Sequence, residues 1–200
     1  MKDHLERRIA ADVAFCKAMA GEMEDYLSSN VLFWEPSRRR FGGGELPKLT
    51  IGGLLLALRR LTTLRERLDP AQTRALAQAG EVLDRARSQR RVRYETKLER
   101  DLRSRLDAWA WYLDDMERSG EAATAYYPRQ VENRTKIGLL LDDARDSKMS
   151  VVASRQRQAA LDERLRQNFE SGAFVWPDAL QPGFPAERFW YLWGRPRKDQ

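Results

Sequence analysis

The chain has 200 residues, of which 33% are charged and 42% hydrophobic, with a formal charge of +6 and one cysteine. That length suits one domain with a real core, the Leu, Trp and Tyr content is too high for a disordered chain, and the basic excess admits anionic partners without requiring them. A lone Cys16 excludes an internal disulfide and a cysteine-rich zinc site, and with His4 the only histidine, Ser-His-Asp and Cys-His catalysis are excluded unless the N-terminus is recruited.

In chain order, the start Met1-Lys2-Asp3-His4-Leu5-Glu6 is too acidic and broken for a signal peptide. No apolar run approaches the roughly 20 residues of a membrane span, so a cytoplasmic protein is expected. Asp3 is placed to cap a first helix, with Glu6 closing a capping box. Leu5, Ile9, Val13, Cys16, Ala20, Met23 and Leu27 then recur at steps of three and four. Cys16 falls on that stripe, which predicts a small core residue rather than a nucleophile. Residues 31–49 have no helical period and are punctuated by Pro36, Gly42, Gly43, Gly44 and Pro47. They predict a long loop carrying the basic cluster Arg38, Arg39 and Arg40, a first place to look for a binding site.

Thr50 reads as the N-cap of a second helix with Ile51, Leu54, Leu58, Leu61 and Leu68 on one face. Asp69-Pro70 and Gln72 supply a cap, a proline at the first helical position and a box partner, so a third helix starts at once. It runs toward Arg118 through Leu76, Leu83, Tyr94, Leu98, Leu102, Leu106, Trp109, Leu113 and Met116. Unbroken it would span roughly 70 Å, longer than a compact domain of this length. A projection or kink is expected between Arg85 and Arg93, where arginine is dense and leucine scarce. A fourth helix follows Tyr126-Tyr127-Pro128 and carries Val131, Ile137, Leu140, Leu141 and Ala144. A fifth places Val151, Ser154, Leu161, Leu165 and Phe169 on one face, with Gly172 as its C′ residue. No stretch alternates as a strand would.

From Ala173 the texture changes. Phe174, Trp176, Phe184, Phe189, Trp190, Tyr191 and Trp193 are interleaved with Pro177, Pro182, Pro185 and Pro196, which forbid one long helix. So many rings left in water would aggregate, whereas laid across a bundle they remove large apolar areas from it. The segment 173–200 therefore reads as a strap with a short helix from Pro185 to Trp193, leaving Arg195, Arg197 and Lys198 in solvent. The competing reading is an aromatic and cationic surface for single-stranded nucleic acid or lipid headgroups.

Three sets of residues are candidates for chemistry. The glycine-rich loop and the next helix start could cradle a phosphate or polyanion on Arg38, Arg39, Arg40, Gly43, Gly44, Lys48, Gly52 and Gly53, because free helix-start amides attract anions. Close helix packing is the other use of those glycines. Arg85, Arg87, Arg90, Arg91 and Arg93 could meet nucleic-acid phosphates without reading sequence. Glu22 with Asp25, and Asp114 and Asp115 with Glu117, have the spacing of acidic pairs that hold Mg²⁺ in all-helical nucleotide hydrolases. Solvated or salt-bridged carboxylates are the plainer reading, and no metal or other cofactor is expected.

The expected fold is all-α: residues 1–200 as a single-domain antiparallel bundle of about five helices, with one long central helix and the aromatic, Pro-rich strap packed across it. The leading functional expectation is a non-enzymatic interaction or scaffold protein with a protein partner, or a homodimer through the exposed part of the third helix. Nucleic-acid or polyanion binding is the alternative, and a Mg-dependent nucleotide hydrolase the second.

Overall fold

Capping chemistry decides where two of the helices begin. The computed structural model describes residues 2–37, 47–119 and 124–197, and it is mostly helical, with one small two-stranded sheet. Among the described residues the longer helices are α1 (Lys2–Ser28), α2 (Ile51–Thr63), α3 (Pro70–Gln89), α4 (Arg91–Ser119), α5 (Tyr127–Asp146) and α6 (Val152–Gln167). Thr50 caps α2 by accepting from the Gly53 amide. Asp69 and Gln72 form the expected capping box, with Pro70 at the start of α3, so two amides that the helix leaves unpaired are satisfied reciprocally. The first helix begins earlier than expected: Lys2 already belongs to it, so Asp3 lies inside α1 rather than before it.

The long third helix is broken where arginine is densest. Arg90 leaves the helical conformation (φ −122°, ψ 30°) between α3 and α4. With no apolar residue exposed to the core on that turn except Ala86, packing does not hold the helix straight there.

The described residues form two units, Met1–Asp101 and Leu102–Gln200, and the division falls within α4. In the first, α1 packs on α2 and α3, and α2 on α3. The α1 stripe of Leu5, Ile9, Val13, Cys16, Met23 and Leu27 is buried, widened by Phe15, Met19 and Tyr26. Burial pushes the Cys16 thiol up to about 12, with the charge of Asp12 one turn earlier adding to it. The group is a core filler, not a nucleophile. Polar groups enter this core in pairs, as with Arg60, whose guanidinium lies 3.8 Å from the Asp12 carboxylate.

Lys97 is a basic group of this unit whose titration moves toward neutrality. Its ammonium donates to Ser29 Oγ (3.1 Å) and to the Val31 carbonyl (2.5 Å), and lies 4.4 Å from the centre of the Tyr26 ring. Burial lowers its pKa from 10.5 to about 8, assisted by the charge of Arg100. The unfolded chain, titrating near the ordinary lysine value, therefore binds more protons between these two points, so folding becomes more favourable as pH rises through that window. The expected result is a higher denaturant midpoint for the Met1–Asp101 unit at pH 9.5 than at pH 7.5, an increase absent from Lys97→Met. Titration of the Lys97 Cε resonance near pH 10.5 would contradict it.

The second unit contains the rest of α4, α5, α6 and the C-terminal segment. Two of its segments depart from the structure expected from sequence. Residues 169–174 do not continue α6: they form strand β1 (Phe169–Phe174), antiparallel to β2 (Trp193–Pro196). Phe169 shares the helical spacing of Leu161 and Leu165, but its ring packs edge-on to Trp190 at 5.1 Å, and that long-range contact overrides local period. Gly172 is accordingly a strand residue, not a helix terminator. The helix expected from Pro185 to Trp193 is likewise only a turn and one 3₁₀ turn, Trp190–Leu192, because Trp193 is drawn into β2.

The aromatic strap is a packed interior. From Tyr112 and Trp109 through Tyr127, Phe169 and Trp190 to Tyr191, then through Phe189, Phe184, Trp176 and Phe174 to Trp193, neighbouring ring centroids lie 5.0–6.5 Å apart. Most meet at steep angles, the edge-to-face geometry that the ring quadrupole favours. Two of the indoles satisfy their polar handles: Trp176 Nε1 donates to the Pro128 carbonyl and Trp193 Nε1 to that of Phe184, whereas the buried Trp109 Nε1 finds no partner among the described residues.

Candidate functional site

Most of the charged groups singled out in the sequence are engaged by their own chain. Arg38, Arg39, Arg40, Gly43 and Gly44 lie outside the described residues. Lys48 is exposed and pairs with Glu35 at 3.3 Å. The Gly52 amide donates to the buried Asp101 carboxylate at 2.7 Å, so the positive end of α2 already holds an anion. Gly53 serves packing: a Cβ there would sit 2.7 Å from the Phe15 ring. Arg87 pairs with Asp84, Arg90 with Glu24 and Arg91 with Glu95, while Arg93 donates to Ser28 Oγ. Arg85 is exposed.

The acidic pairs are similarly occupied. Glu22, which is buried, accepts from Trp34 Nε1 (2.6 Å) and from the Ser37 amide (2.8 Å), fastening the segment after α1 to that helix. Asp25 is exposed on the same turn. Asp114 and Glu117 both accept from Arg164 of α6, at 2.7 and 2.8 Å, and these bonds raise the Arg164 pKa. Asp115 is exposed. Among the described residues no group of three or more His, Cys, Asp or Glu side chains is placed to hold a metal ion.

A concave feature of the second unit lies over its sheet. A groove of about 880 Å³ is lined by Thr124 and Ala125, by Glu170–Phe174 of β1 and by Gly194–Arg197 at the end of β2. The register explains its shape. Phe169 faces Pro196, Glu170 faces Arg195 and Ser171 faces Gly194, after which the ladder skips to Phe174 opposite Trp193. Gly172 and Ala173 are thus a bulge whose main chain stands outside the paired residues. Side chains alternate across a strand, which puts Phe169 and Pro196 on the packed face and Glu170, Arg195 and Arg197 on the groove face.

Gly194 is what makes the floor possible. Its φ of +147° is open to glycine alone, and a Cβ would meet the Glu170 carbonyl at 2.1 Å and the Phe169 ring at 2.8 Å. Phe169 therefore lies across Gly194 diagonally, a ring covering a glycine on the neighbouring strand. Ser171, Gly172 and Ala173 present only small side chains, all exposed. The walls carry one carboxylate and two guanidinium groups, and among the described residues neither Arg195 nor Arg197 makes an ion pair or a side-chain hydrogen bond.

Beneath the sheet a buried polar cluster locks the strap to α5 and α6. Arg134 donates through Nε and Nη2 to both oxygens of Asp162, at 2.5 and 2.7 Å, and Gln158 donates to the same carboxylate. The guanidinium also lies 4.4 Å from the Tyr191 ring centre. Burial alone would lower the Arg134 pKa; Tyr191 together with the bonds and charge of Asp162 raise it instead. Tyr127 Oη donates to the Tyr191 carbonyl at 2.5 Å, and burial raises both phenols. Neither the bulge nor this cluster is anticipated by the sequence reading, although Val131, Arg134, Ile137 and Leu141 share one helical stripe, which was the available signal for a buried arginine.

An exposed ring lies elsewhere on the same unit. Trp111 of α4 is 78% exposed. It shares a helical stripe with Asp107 and Asp114, which pair with Arg157 and Arg164 of α6 at 2.7 Å each. Trp109 and Tyr112, its neighbours in sequence, are buried.

No protein-family model, curated protein or solved structure matches the chain. No helix among the described residues is long and apolar enough to cross a membrane.

Proposed function

We propose that this chain is a non-enzymatic interaction protein that receives a segment of a partner protein in the groove over β1 and β2. The observation that carries the reading is the groove itself: an open concavity on a rigid aromatic platform, with small residues on its floor and two arginines on its wall that make no ion pair among the described residues. Binding sites of this kind combine a pre-formed shape with a few placed polar groups. An exposed tryptophan framed by ion pairs on α4 is a second feature suited to a partner-facing surface.

Polyanion binding through the arginines between 85 and 93 has less support, because four of the five are held by acidic or hydroxyl groups of the same chain. Magnesium-dependent hydrolysis would require Asp114 and Glu117 to exchange Arg164 for a cation, and Glu22 to surrender Trp34 and Ser37.

The test is selection of random linear peptides on the wild-type protein and on Gly172→Leu, which adds bulk at a groove-lining position where a Cβ has no neighbour nearer than Gly194 Cα at 4.0 Å. Peptides retained by the first and lost by the second are expected. Identical selections from both proteins would refute the reading.

A further inference from the structure

The groove is electrostatically uneven, and the unevenness identifies its occupant. Arg195 and Arg197 stand two residues apart on an extended strand, so their side chains leave the same face about 7 Å from each other. Carboxylates at alternate positions of an extended peptide have the same spacing, and each can accept two parallel N–H bonds from a guanidinium fork. Opposite them on that face is a single carboxylate, Glu170, directly across from Arg195. Between the walls, the bulge at Gly172 and Ala173 leaves main-chain groups outside the ladder, where another extended backbone can exchange hydrogen bonds with them.

We infer that the groove binds an extended acidic peptide segment of a partner protein, with carboxylates at alternate positions seated on Arg195 and Arg197; this rests on the groove being the interaction site. A single-stranded nucleic acid fits less well. Phe174, the aromatic among the groove's lining residues, is buried, so bases find no open ring on the groove lining on which to stack. Glu170 also places a negative charge in the path of a continuous polyanion. In a peptide the same carboxylate accepts a backbone or side-chain donor between the two acidic residues.

The probe is a fluorescein-labelled octapeptide of alternating Glu and Ser, blocked at both ends, followed by anisotropy at low salt against three proteins: wild type, the Arg195→Ala/Arg197→Ala pair and Glu170→Gln. Both arginines are exposed and their side chains make no ion pair or hydrogen bond among the described residues, so the double variant is expected to keep the wild-type melting curve. Removing two exposed charge contacts is expected to weaken binding on the order of tenfold; Glu170→Gln, which keeps an acceptor oxygen and removes the like charge, should strengthen it, and 0.3 M salt should weaken wild-type binding toward that of the double variant. Equal affinity for wild type and the double variant, no binding by wild type, or tighter binding of a twelve-residue oligothymidylate that is lost in the double variant would each overturn the inference. If the random-peptide selection still returns groove-dependent sequences that lack acidic residues, the interaction role stands and the acidic specificity falls.

Discussion

A chain ended at Gly172 is expected to lose cooperative unfolding of the Leu102–Gln200 unit. The truncation deletes Phe174, Trp176, Leu180, Phe184, Phe189, Tyr191 and Leu192, all buried. A buried aromatic removes about 150–250 Å² from water, which at about 25 cal/mol per Å² is roughly 4–6 kcal/mol of gross stabilisation for each ring. Several such rings outweigh the 5–15 kcal/mol net stability typical of a domain. The loss is also two-sided. Tyr127 would lose the Tyr191 carbonyl, Arg134 its ring contact and Phe169 the Trp190 edge. Trp109 and Trp111 remain in the shortened chain, so near-ultraviolet circular dichroism still reports on this unit. Its signal is expected to collapse while far-ultraviolet helicity persists, and a hydrophobic dye should bind. A truncated chain with an unchanged melting temperature and an intact near-ultraviolet spectrum would show the strap to be an accessory.

The parts of this fold that depend on neighbours in sequence were legible, and those that depend on distant partners were not. Thr50 and Asp69 cap their helices because the residues that satisfy them are three positions away. The break at Arg90 could be located because a helix with few apolar residues has little packing to hold it straight. β1 gave no such signal: Phe-Glu-Ser-Gly-Ala-Phe has neither strand alternation nor β-branched residues, and it is extended only because β2 pairs with it. The close approach of β2 to β1 requires Gly194 at φ +147°, a demand visible only once Phe169 lies across it. The candidate site inherits this limit. Arg195 and Arg197 were expected in solvent, but the groove beside them exists through a bulge between residues about twenty positions apart, and no local pattern encodes a bulge. Buried charge was hidden for a related reason: Arg134 and Asp162 belong to different helices, and in each sequence window a charged residue reads as a solvated face.

That buried pair sets the second large effect. Arg134→Met is expected to destabilise the Leu102–Gln200 unit by about 3–5 kcal/mol, the cost of leaving one member of an interior ion pair unmatched. Asp162 would keep only the Gln158 amide, and the methionine could not reproduce the planar contact with Tyr191. Replacing both partners, as Arg134→Met with Asp162→Leu, removes the unpaired charge together with its desolvation cost, so the double variant is expected to recover most of the loss. Urea midpoints of the four proteins in the cycle measure the coupling directly. Stability and placement are separable in this design. The guanidinium fork ties α5 to α6 while stacking on Tyr191, and Tyr191 is continuous in sequence with the strand that carries Arg195 and Arg197. If the pair only neutralises itself, the double variant should bind the alternating Glu–Ser peptide as wild type does. If it also fixes where the strap lies, the double variant should regain stability yet bind the peptide more weakly, because the two arginines would no longer be held at the spacing of an extended acidic chain. A single Arg134→Met change that leaves the urea midpoint unmoved would remove both roles at once.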